Sequence, residues 1–585
     1  MTSPEPINFK THFIELFQSA LDALKISENL PAIELTRTKQ ASHGDYSCNL
    51  AMHLAKTMRK SPREVAQNLI DHLPASPILE KIEIAGAGFI NLFIKDSAKQ
   101  SYIKHILTSK ERYGSCNYGQ GKKVQIEFVS ANPTGPLHVG HGRGAALGAS
   151  LANLLKAAGY TVLREFYVND AGRQMDILTV STWLRYLEIN QVHIPFPQNA
   201  YQGGYVKEMA QQLYDQFSKR LVQQTERILQ DFPLSATEMP ITTDAELDLL
   251  IANAKKILGD DYFLIHQFVL KEQIHDCRND LQEFGVEFDE WFSEQSLFDS
   301  GLVTRTVALL EEKNYLYTKD GAKWFRSTDF GDEKDRVVQR ENGQFTYFAS
   351  DIAYHLNKFE RGFDLLINIW GADHHGYIAR VKGALQALNL DPTKLEIALV
   401  QFAVLYQDGK KMPMSTRSGE FVTLRELRHE VGNDAARFFY AMRKSDQHLD
   451  FDLDLAKSQS NENPVYYVQY AYARICSVLA QWNGDLTTLE GVDTNTLSNP
   501  GELSLLQKLI DFPDMIEAAA KEFSPHLITF CLRELAGEFH SYYNSTRFLV
   551  DETSIMHARL ALIASVRQTL SNGLKLLGVS TPVKM

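Results

Sequence analysis

The sequence predicts an α/β protein with a doubly wound, parallel, Rossmann-like catalytic core, an N-terminal α+β domain and a C-terminal all-α helical bundle. The core is predicted because an apolar strand over 124–129 leads through a glycine-rich turn into a helix over about 137–158, followed by a second strand, "TVLREFYVND". The bundle is predicted because only helical apolar periodicity occurs from residue 461 onward. The first 110 residues combine helical stretches with a strand pattern.

Three domains are expected in a chain of 585 residues. They are an N-terminal domain at 1–110, a catalytic domain at 111–460 and a helical domain at 461–585. A mainly helical, polar insertion is expected at about 185–300. Further core strands are predicted in "FTYFASDIAY", "LLINIWGADHH" and "IALVQFAVLY", and the alternating segment from Ile82 to Ile94 is predicted as one strand.

Composition narrows the class of protein. The net charge of −12 gives no global attraction to nucleic acid, so any RNA-binding surface must be a local patch. The sequence contains no run of eighteen apolar residues, so no membrane span is predicted. The first residues lack the pattern of a secretory signal. Five scattered cysteines without a CxxC pair argue against a disulfide framework or a thiolate zinc site. These observations predict a cytoplasmic protein that does not bind membranes.

The stretch "SANPTGPLHVGHGRGAALG" at 130–148 contains the residues that we predict to bind phosphate and to be catalytic. His138 and His141 lie at i and i+3 on the first turn of the predicted helix, where unpaired N–H groups and the helix dipole favour phosphate. Gly140 between them leaves room for a flat base or a sugar. Both imidazoles can donate hydrogen bonds to a phosphoryl group whose charge rearranges during attack. We therefore predict His138, His141 and Gly140 as the catalytic residues.

This stretch resembles the HIGH signature of class I aminoacyl-tRNA synthetases, in the form found in arginyl-tRNA synthetases. The resemblance runs along nearly the whole chain, through "EFYVNDAGRQM", "YQGGYV", "WFRSTDFGDEKDRV", "WGADHHGYIARVKGAL" and the ending "LKLLGVSTPVKM". The signature residues are Ala131, Asn132, Pro133, Thr134, Gly135, Pro136, Leu137, His138, Val139, Gly140 and His141.

The resemblance implies an enzyme that activates L-arginine with ATP to arginyl-adenylate and transfers the arginine to the 3′ end of tRNA(Arg). Mg²⁺ would bridge the β- and γ-phosphates of ATP without a dedicated protein site, so no residue is assigned to metal. The helical tail would read the anticodon as a DALR-type domain, and the first 110 residues would contact the tRNA elbow. The family usually needs tRNA to be bound before adenylation, and a monomer is expected.

A guanidinium is recognised best by carboxylates in bidentate geometry. Glu127 ends the strand before the signature loop, and Asp351 lies near the edge of the strand predicted in "TYFASDIAY", so two acids from different strands could grip one cation. The resemblance assigns Glu127, Asn132, Tyr347 and Asp351 to the substrate arginine. In "GADHH", we assign Asp373 to ATP and His374 to arginine, and either one could contact the ribose.

The second class I signature, KMSKS, supplies lysines to the ATP phosphates, and here the matching stretch is "PMSTRS" at 413–418. Pro413 and Thr416 replace the two lysines. Some family members compensate with a lysine just before the first histidine motif, but Gly135 occupies that position. The missing charge could come from Lys410, Lys411 or Arg417. The residues assigned to ATP are Pro136, His138, Gly140, His141, Asp373, Lys411, Met414, Ser415 and Arg417.

Three other interpretations remain open at this stage. His138, His141, Asp373, His374 and His375 include common metal ligands, which would suit a metal-dependent phosphoesterase. The altered "PMSTRS" loop would suit a catalytically inactive RNA-binding relative, and the HxGH pattern alone would suit a small-molecule nucleotidyltransferase. In the helical tail, an aromatic set is expected either to stack on bases or to pack in the core: Tyr466, Tyr470, Tyr542 and Tyr543.

Overall fold

The structure is a computed structural model that describes residues 8–27, 30–38, 40–232, 241–412 and 422–585. The N-terminal unit packs helices against a four-stranded antiparallel sheet of order β1-β2-β4-β3. Its elements are α1 (Phe9–Ala23), β1 (Leu35–Arg37), β2 (Tyr46–Cys48), α2 (Leu50–Met58), α3 (Pro62–Asp71), β3 (Leu79–Ala85), β4 (Phe89–Ile94) and α4 (Asp96–Ser109).

The single strand predicted from Ile82 to Ile94 is wrong, because this segment forms the β3–β4 hairpin. Gly86 and Gly88 reverse the chain with φ values of 52° and 140°, which glycine adopts without the steric cost of a side chain. The alternation of apolar residues continues across the turn, and it therefore concealed the reversal from the sequence pattern.

The catalytic unit is built on a five-stranded, fully parallel sheet of order β12-β11-β5-β6-β7, which confirms the doubly wound core. The first half of this unit ends at the edge strand β7, and it contains the mainly helical insertion that was predicted at about 185–300. The elements are β5 (Lys123–Glu127), α5 (Val139–Ala157), β6 (Thr161–Val168), α6 (Arg173–Ile189), α7 (Gly204–Phe217), α8 (Thr225–Ile228), α9 (Asp244–Leu258), α10 (Asp260–Glu283) and β7 (Glu290–Ser293).

The second half returns to the same sheet through α13, β11, α14 and β12. A small antiparallel sheet of order β10-β9-β8, which the sequence did not reveal, precedes it. The elements are α11 (Gln295–Asp299), α12 (Leu302–Glu312), β8 (Leu316–Lys319), β9 (Ala322–Phe325), β10 (Arg336–Gln339), α13 (Tyr347–Glu360), β11 (Leu365–Gly371), α14 (Ile378–Ala387), β12 (Leu395–Val400), β13 (Ala403–Gln407), β14 (Lys410–Lys411), α15 (Leu424–Val431), α16 (Asn433–Ala441), β15 (Leu449–Asp452) and α17 (Leu453–Lys457).

Two strand predictions in this half are wrong. The segment "TYFASDIAY" is the start of helix α13, because Phe348, Ile352 and Leu356 are buried at helical spacing against the core. The segment "IALVQFAVLY" is two strands rather than one. Its first part is β12 in the parallel sheet, and its second part is β13, which pairs with β14 and β15 in a separate sheet.

The C-terminal unit is a bundle of four long helices, which confirms the predicted all-α domain. They are α18 (Pro464–Trp482), α19 (Pro500–Lys521), α20 (His526–Ser545) and α21 (Thr553–Leu577). Tyr542 is buried in this bundle, and its hydroxyl donates to Glu502, so of the two alternatives open for this residue the structure shows packing in the core. None of the helices in the described parts of the chain is long and apolar enough to cross a membrane.

Buried side chains fasten the three units together. The Gln100 side chain on α4 donates to the carbonyl oxygen of Leu497, and the Asn572 side chain on α21 donates to the carbonyl oxygen of Tyr113. Arg437 on α16 is buried and donates to the carbonyl oxygens of Leu577 and Phe284. Because a buried guanidinium without acceptors is strongly disfavoured, these bonds fix the bundle against the catalytic unit.

Close packing of α5 on the sheet gives a first prediction. Replacing Gly148 with alanine is expected to lower the free energy of unfolding by about 1–3 kcal/mol, because the added methyl group would overlap the Phe128 ring. Denaturant unfolding measures the change. Gly144→Ala on the same helix is the control, because its methyl group would have no atom within 4 Å. Equal destabilisation by both variants would contradict the packing argument.

Candidate active site

A cleft of about 1300 Å³ opens at the carboxyl ends of the parallel strands. Parallel α/β sheets place ligands at this edge, where the chain reverses between strands and helices on opposite faces. The signature turn lines the cleft together with the residues that follow β6, β7, β11 and β12 and the chain that leads from β10 into α13. The cleft is therefore the candidate site for the chemistry that the sequence predicted.

The chain leaves β5 in an unusual conformation. Val129 and Ser130 have φ values of 68° and 41°, in the left-handed region that β-branched residues avoid. The Ser130 hydroxyl accepts from the Tyr167 N–H at 3.1 Å and donates to Glu127 Oε1 at 3.0 Å. Strain of this kind persists where the surrounding structure enforces it. Here it aims the signature loop across the ends of β5 and β6.

The two histidines cap their own helix. The Gly140 N–H donates to His138 Nδ1 at 3.1 Å, and the His138 N–H donates to His141 Nδ1 at 3.3 Å. Because Nδ1 is the acceptor in each neutral ring, the hydrogen of each ring is on Nε2. The rings stack with centroids 3.7 Å apart. The backbone of the turn thus fixes both tautomers.

Both imidazoles are neutral at physiological pH. Burial lowers the pKa of His138. Burial, together with the neighbouring His138, lowers the pKa of His141 to about 3. A cationic pair of stacked rings would repel itself, whereas a neutral pair keeps one N–H donor on each ring. The arrangement suits hydrogen bonding to an anionic oxygen.

Gly140 is required by the position of the His138 ring. A Cβ at this residue would lie 2.9 Å from a ring carbon of His138 and 3.4 Å from the Phe402 ring. Phe402, which follows β12, is half exposed in the cleft. A bare backbone at Gly140 and an exposed aromatic face at Phe402 together form a slot for a flat group.

The chain that follows the second signature segment pairs with the first signature. The Val139 N–H donates to the Val422 carbonyl oxygen at 3.2 Å, and the Leu424 N–H donates to the Leu137 carbonyl oxygen at 2.8 Å. The described chain therefore resumes at Val422 beside the two histidines.

The basic residues proposed for the phosphates are only partly described. Lys410 and Lys411 are exposed on β14, before the second signature segment. The other predicted residues of this segment lie outside the described residues: Pro413, Met414, Ser415, Thr416 and Arg417.

Asp351 lies on the second turn of α13, not at the edge of a strand, so that part of the sequence interpretation is wrong. Its Oδ2 atom is buried, and the buried Tyr377 hydroxyl interacts with this carboxylate. Tyr347, one turn earlier, is 60% exposed and lines the cleft. A buried carboxylate oxygen is well suited to accept from a cationic ligand.

Glu294 is an acid of the cleft that the sequence reasoning missed. It follows β7, it is buried, and its Oε1 accepts from the Ser350 hydroxyl at 2.8 Å. The pKa of Glu294 is raised to about 7, mainly because the carboxyl is buried; the Ser350 and Tyr167 hydroxyls lower it, and the Asp170 and Asp351 carboxylates raise it. "EWFS" is a short edge strand, and recognising it would have marked the next residue as lying at the ligand-binding edge.

Glu127 and Asn132 are placed differently from each other. The Glu127 carboxylate is buried and ion-paired with Lys358 Nζ at 2.6 Å. Asn132 is exposed in the cleft, where its amide donates to Gln174 Oε1 at 3.0 Å and accepts from the Asn169 amide at 2.7 Å. Asn132 is therefore directly accessible to a ligand, whereas Glu127 lies behind the cleft surface.

Asp373 and His374 lie on the short 3₁₀ helix after β11, and both line the cleft. Their side chains are well exposed, with 3.7 Å between His374 Nε2 and Asp373 Oδ2. His375 is exposed beside them. Across the described ranges, three or more His, Cys, Asp or Glu side chains nowhere converge in a group that could hold a metal ion.

Comparisons with known proteins agree with this geometry. Residues 102–239 and 246–452 match the model "tRNA synthetases class I (R), catalytic domain". Residues 11–94 match "Arginyl tRNA synthetase N terminal domain", and residues 468–585 match "DALR anticodon binding domain". A parallel sheet whose first strand leads into the paired-histidine turn, together with these matches, defines a class I aminoacyl-tRNA synthetase.

Proteins of similar sequence match this chain along its whole length. An arginine–tRNA ligase of Nitrosospira multiformis is 68% identical over 585 residues, which is 100% of both chains. One from Nitrosomonas europaea is 65% identical over 579 residues, 99% of each chain. The chain belongs to the arginyl-tRNA synthetase family. The fold resembles that of the Thermus thermophilus arginyl-tRNA synthetase, with a TM-score of 0.74, 24% identity and coverage of 99% of this chain and 100% of that one.

Proposed function

We propose that the chain is an arginine–tRNA ligase that activates L-arginine with ATP and transfers it to the 3′ end of tRNA(Arg), releasing pyrophosphate and AMP. The observation that carries this proposal is the polarity of the cleft. The His138 and His141 rings and the Glu294 carboxylate line the cleft, and Asp351 comes directly after the lining residue Ser350. A substrate that carries a carboxylate at one end and a guanidinium at the other fits that polarity.

In this proposal ATP lies across the start of α5. The adenine enters the slot between Gly140 and Phe402, Pro136 borders the turn, and Asp373 approaches the ribose. The phosphates meet His138 and His141, and Mg²⁺ accompanies the β- and γ-phosphates as part of the substrate. Lys411, Met414, Ser415 and Arg417 are proposed to act on the leaving pyrophosphate from the second signature segment.

The arginine carboxylate oxygen attacks the α-phosphorus, the bond from phosphorus to the bridging oxygen breaks, and pyrophosphate leaves. The Nε2–H groups of His138 and His141 stabilise the charge on the phosphoryl oxygens during this step. The terminal ribose hydroxyl of the tRNA then attacks the arginyl carbonyl carbon, and AMP leaves with its electron pair. The protein contributes positioning and electrostatics, without a covalent intermediate.

The arginine side chain is proposed to meet Asp351, Glu294 and Tyr347, with Asn132 and His374 near its amino-acid end. Glu127 is proposed to contribute its charge from behind, because Lys358 already holds its carboxylate. A ligand without a guanidinium would leave the Glu294 and Asp351 carboxylates poorly matched, and this favours arginine over lysine.

The tRNA is proposed to contact all three units. Tyr470 and Tyr543 are half-buried on the helical bundle, with the Arg474 guanidinium 4.4 Å and 4.7 Å from their ring centroids. Tyr466 stacks beside Tyr470 at 5.7 Å. Such an aromatic and cationic surface suits unstacked anticodon bases. The N-terminal domain is proposed to contact the tRNA elbow, and the protein is proposed to act as a monomer.

The proposal is tested by ATP–pyrophosphate exchange with each of the twenty amino acids, with and without tRNA(Arg), followed by aminoacylation. Exchange is expected with arginine alone among the amino acids, and only when tRNA is present. Absence of exchange under both conditions would favour an inactive RNA-binding relative. Exchange that is strongest with another substrate, or phosphoester hydrolysis that needs added metal ions, would favour the other interpretations.

The raised pKa of Glu294 gives a second prediction. The KM for arginine is expected to fall about tenfold between pH 6 and pH 8, because a pKa of about 7 leaves most Glu294 protonated at the lower pH, and guanidinium binding needs the ionised form. Steady-state exchange at saturating ATP measures it. In Glu294→Gln the KM is expected to be higher and nearly independent of pH. An unchanged pH profile in this variant would contradict the assignment.

The same shift has a stability consequence. Because the folded protein holds the Glu294 proton more tightly than the unfolded chain does, this residue's contribution to stability is present below pH 4.5 and is lost as pH rises through 7. In the absence of ligands at pH 8, Glu294→Gln is therefore expected to have a higher unfolding temperature than the parent. Its free energy of unfolding should be higher by up to roughly 3 kcal/mol. Differential scanning calorimetry with and without arginine measures the unfolding temperatures of both proteins, and so compares the effect of the substitution on stability with its effect on binding.

A further inference from the structure

Behind the cleft, a chain of buried polar side chains joins two of the proposed arginine ligands. His355 Nδ1 lies 2.9 Å from the Asp351 carbonyl oxygen and 3.4 Å from its Oδ1. His355 Nε2 lies 2.9 Å from Asn368 Nδ2, and Asn368 Oδ1 lies 2.7 Å from Lys358 Nζ. Lys358 Nζ in turn donates to Glu127 Oε2 at 2.6 Å. The chain therefore runs from β5 through α13 and β11 to the cleft.

The direction of every hydrogen bond in this chain follows from Lys358. An ammonium group only donates, so Asn368 Oδ1 is the acceptor and the Asn368 amide must donate to His355 Nε2. The His355 ring then carries its hydrogen on Nδ1, which faces Asp351. Had the Asn368 amide the opposite orientation, its NH₂ group would face the Lys358 ammonium, donor to donor.

The three linking side chains are sealed from water. Lys358 and Asn368 have no exposed surface, and His355 is 1% exposed. The Lys358 ammonium also lies 4.3 Å from the Tyr354 ring centroid, which disfavours any other position for it. In a low-dielectric interior, a fully satisfied polar chain has one arrangement and resists reorganisation. The Glu127 and Asp351 carboxylates are consequently held at a fixed separation.

We infer that Lys358, Asn368 and His355 are positioning residues that orient Asp351 toward the substrate guanidinium and hold Glu127 behind it. The inference rests on the proposed arginine site, and it adds three residues that do not contact the substrate. His355 donates its one N–H to the Asp351 carbonyl oxygen and lies 3.4 Å from Oδ1, so it fixes this turn of α13 and the Oδ1 side of the carboxylate. Lys358 offsets the Glu127 charge, so the two carboxylates do not repel each other.

The test compares His355→Leu, His355→Gln and the parent protein in ATP–pyrophosphate exchange with tRNA present. The leucine variant removes the donor to Asp351. It is expected to raise the KM for arginine about 10- to 100-fold while kcat and the KM for ATP stay within about threefold, because a binding contact remote from the reacting carboxylate is lost. In the glutamine variant, the amide NH₂ replaces Nδ1–H and the amide oxygen accepts from Asn368. Its KM for arginine is expected within about threefold of the parent.

The control is Asn253→Leu, which removes a buried amide that donates to the carbonyl oxygens of Ile228 and Gln230. This variant loses stability in the same way but should leave the KM for arginine unchanged. An equal rise of KM in Asn253→Leu and His355→Leu, or a fall confined to kcat, would overturn the inference.

The tautomer supplies a readout that needs no activity. Long-range ¹H–¹⁵N spectra of histidine-labelled protein should give His355 an Nδ1–H resonance pattern, in contrast to the Nε2–H pattern expected for His141. An Nε2–H tautomer at His355 would overturn the inference even in an active enzyme. If the parent protein failed to activate arginine while His355 showed the Nδ1–H form, the proposed function would fall instead, and the polar chain would have only a structural role.

Discussion

Replacing His141 with asparagine is expected to lower kcat for arginine-dependent exchange about 10²- to 10³-fold. In the proposed mechanism the imidazole Nε2–H donates to the phosphoryl oxygens that gain charge in the transition state, and removal of one such preorganised donor typically costs this much. The cap on α5 should weaken only slightly, because the asparagine oxygen still accepts from the His138 N–H. Pre-steady-state exchange at saturating ATP, arginine and tRNA measures the effect.

The pH profile of the parent sharpens this prediction. Because the pKa of His141 is about 3, the rate should show no step attributable to this residue between pH 6 and pH 9. His275→Asn on the exposed face of α10 is the matched control and should leave kcat unchanged. If the His141→Asn variant kept its rate, the result would contradict the role of His141. Stabilisation of the transition state would then be assigned to the second signature segment and the metal ion.

Replacing Asp351 with asparagine is expected to lower kcat/KM for arginine about 10³-fold. An amide presents an NH₂ group as well as an oxygen, so it loses the charge and one acceptor that a guanidinium needs. The loss should lie mainly in KM, since the guanidinium end is remote from the reacting carboxylate. Exchange kinetics with varied arginine, and calorimetric titration of arginine, measure it independently.

Selectivity should change together with affinity in this variant. Asp351→Asn is expected to reduce the preference for arginine over lysine, because the buried carboxylate that rejects a poorly matched cation is gone. The KM for ATP should stay at the parent value. Asp329→Asn, an exposed acid of the same unit, is the control. An equal loss of kcat/KM in both variants, or a loss seen only as a higher KM for ATP, would contradict the assignment of Asp351.

The sequence predicted the β5–α5–β6 unit more accurately than the segment around Asp351. The unit was predicted because a strand, a glycine-rich turn and a helix follow one another in the chain, and His138 and His141 lie at that turn. Asp351 was assigned to the wrong element, since the aromatic and β-branched residues of "TYFASDIAY" have strand propensity, whereas packing against the core makes this segment a helix. Glu294 was missed because its preceding strand has only four residues.

By itself, the sequence determined the family resemblance, the three-part architecture and the histidine turn, because each depends on local patterns or on motifs that are contiguous in the chain. The tertiary structure alone added Glu294 to the two acids that the sequence had singled out, and it showed how the three are arranged. Glu127, Glu294 and Asp351 come from β5, the end of β7 and α13, and only parallel pairing of distant strands brings them together. It also decided that Lys358 neutralises Glu127, since a buried ion pair forms only where the fold excludes water from both partners.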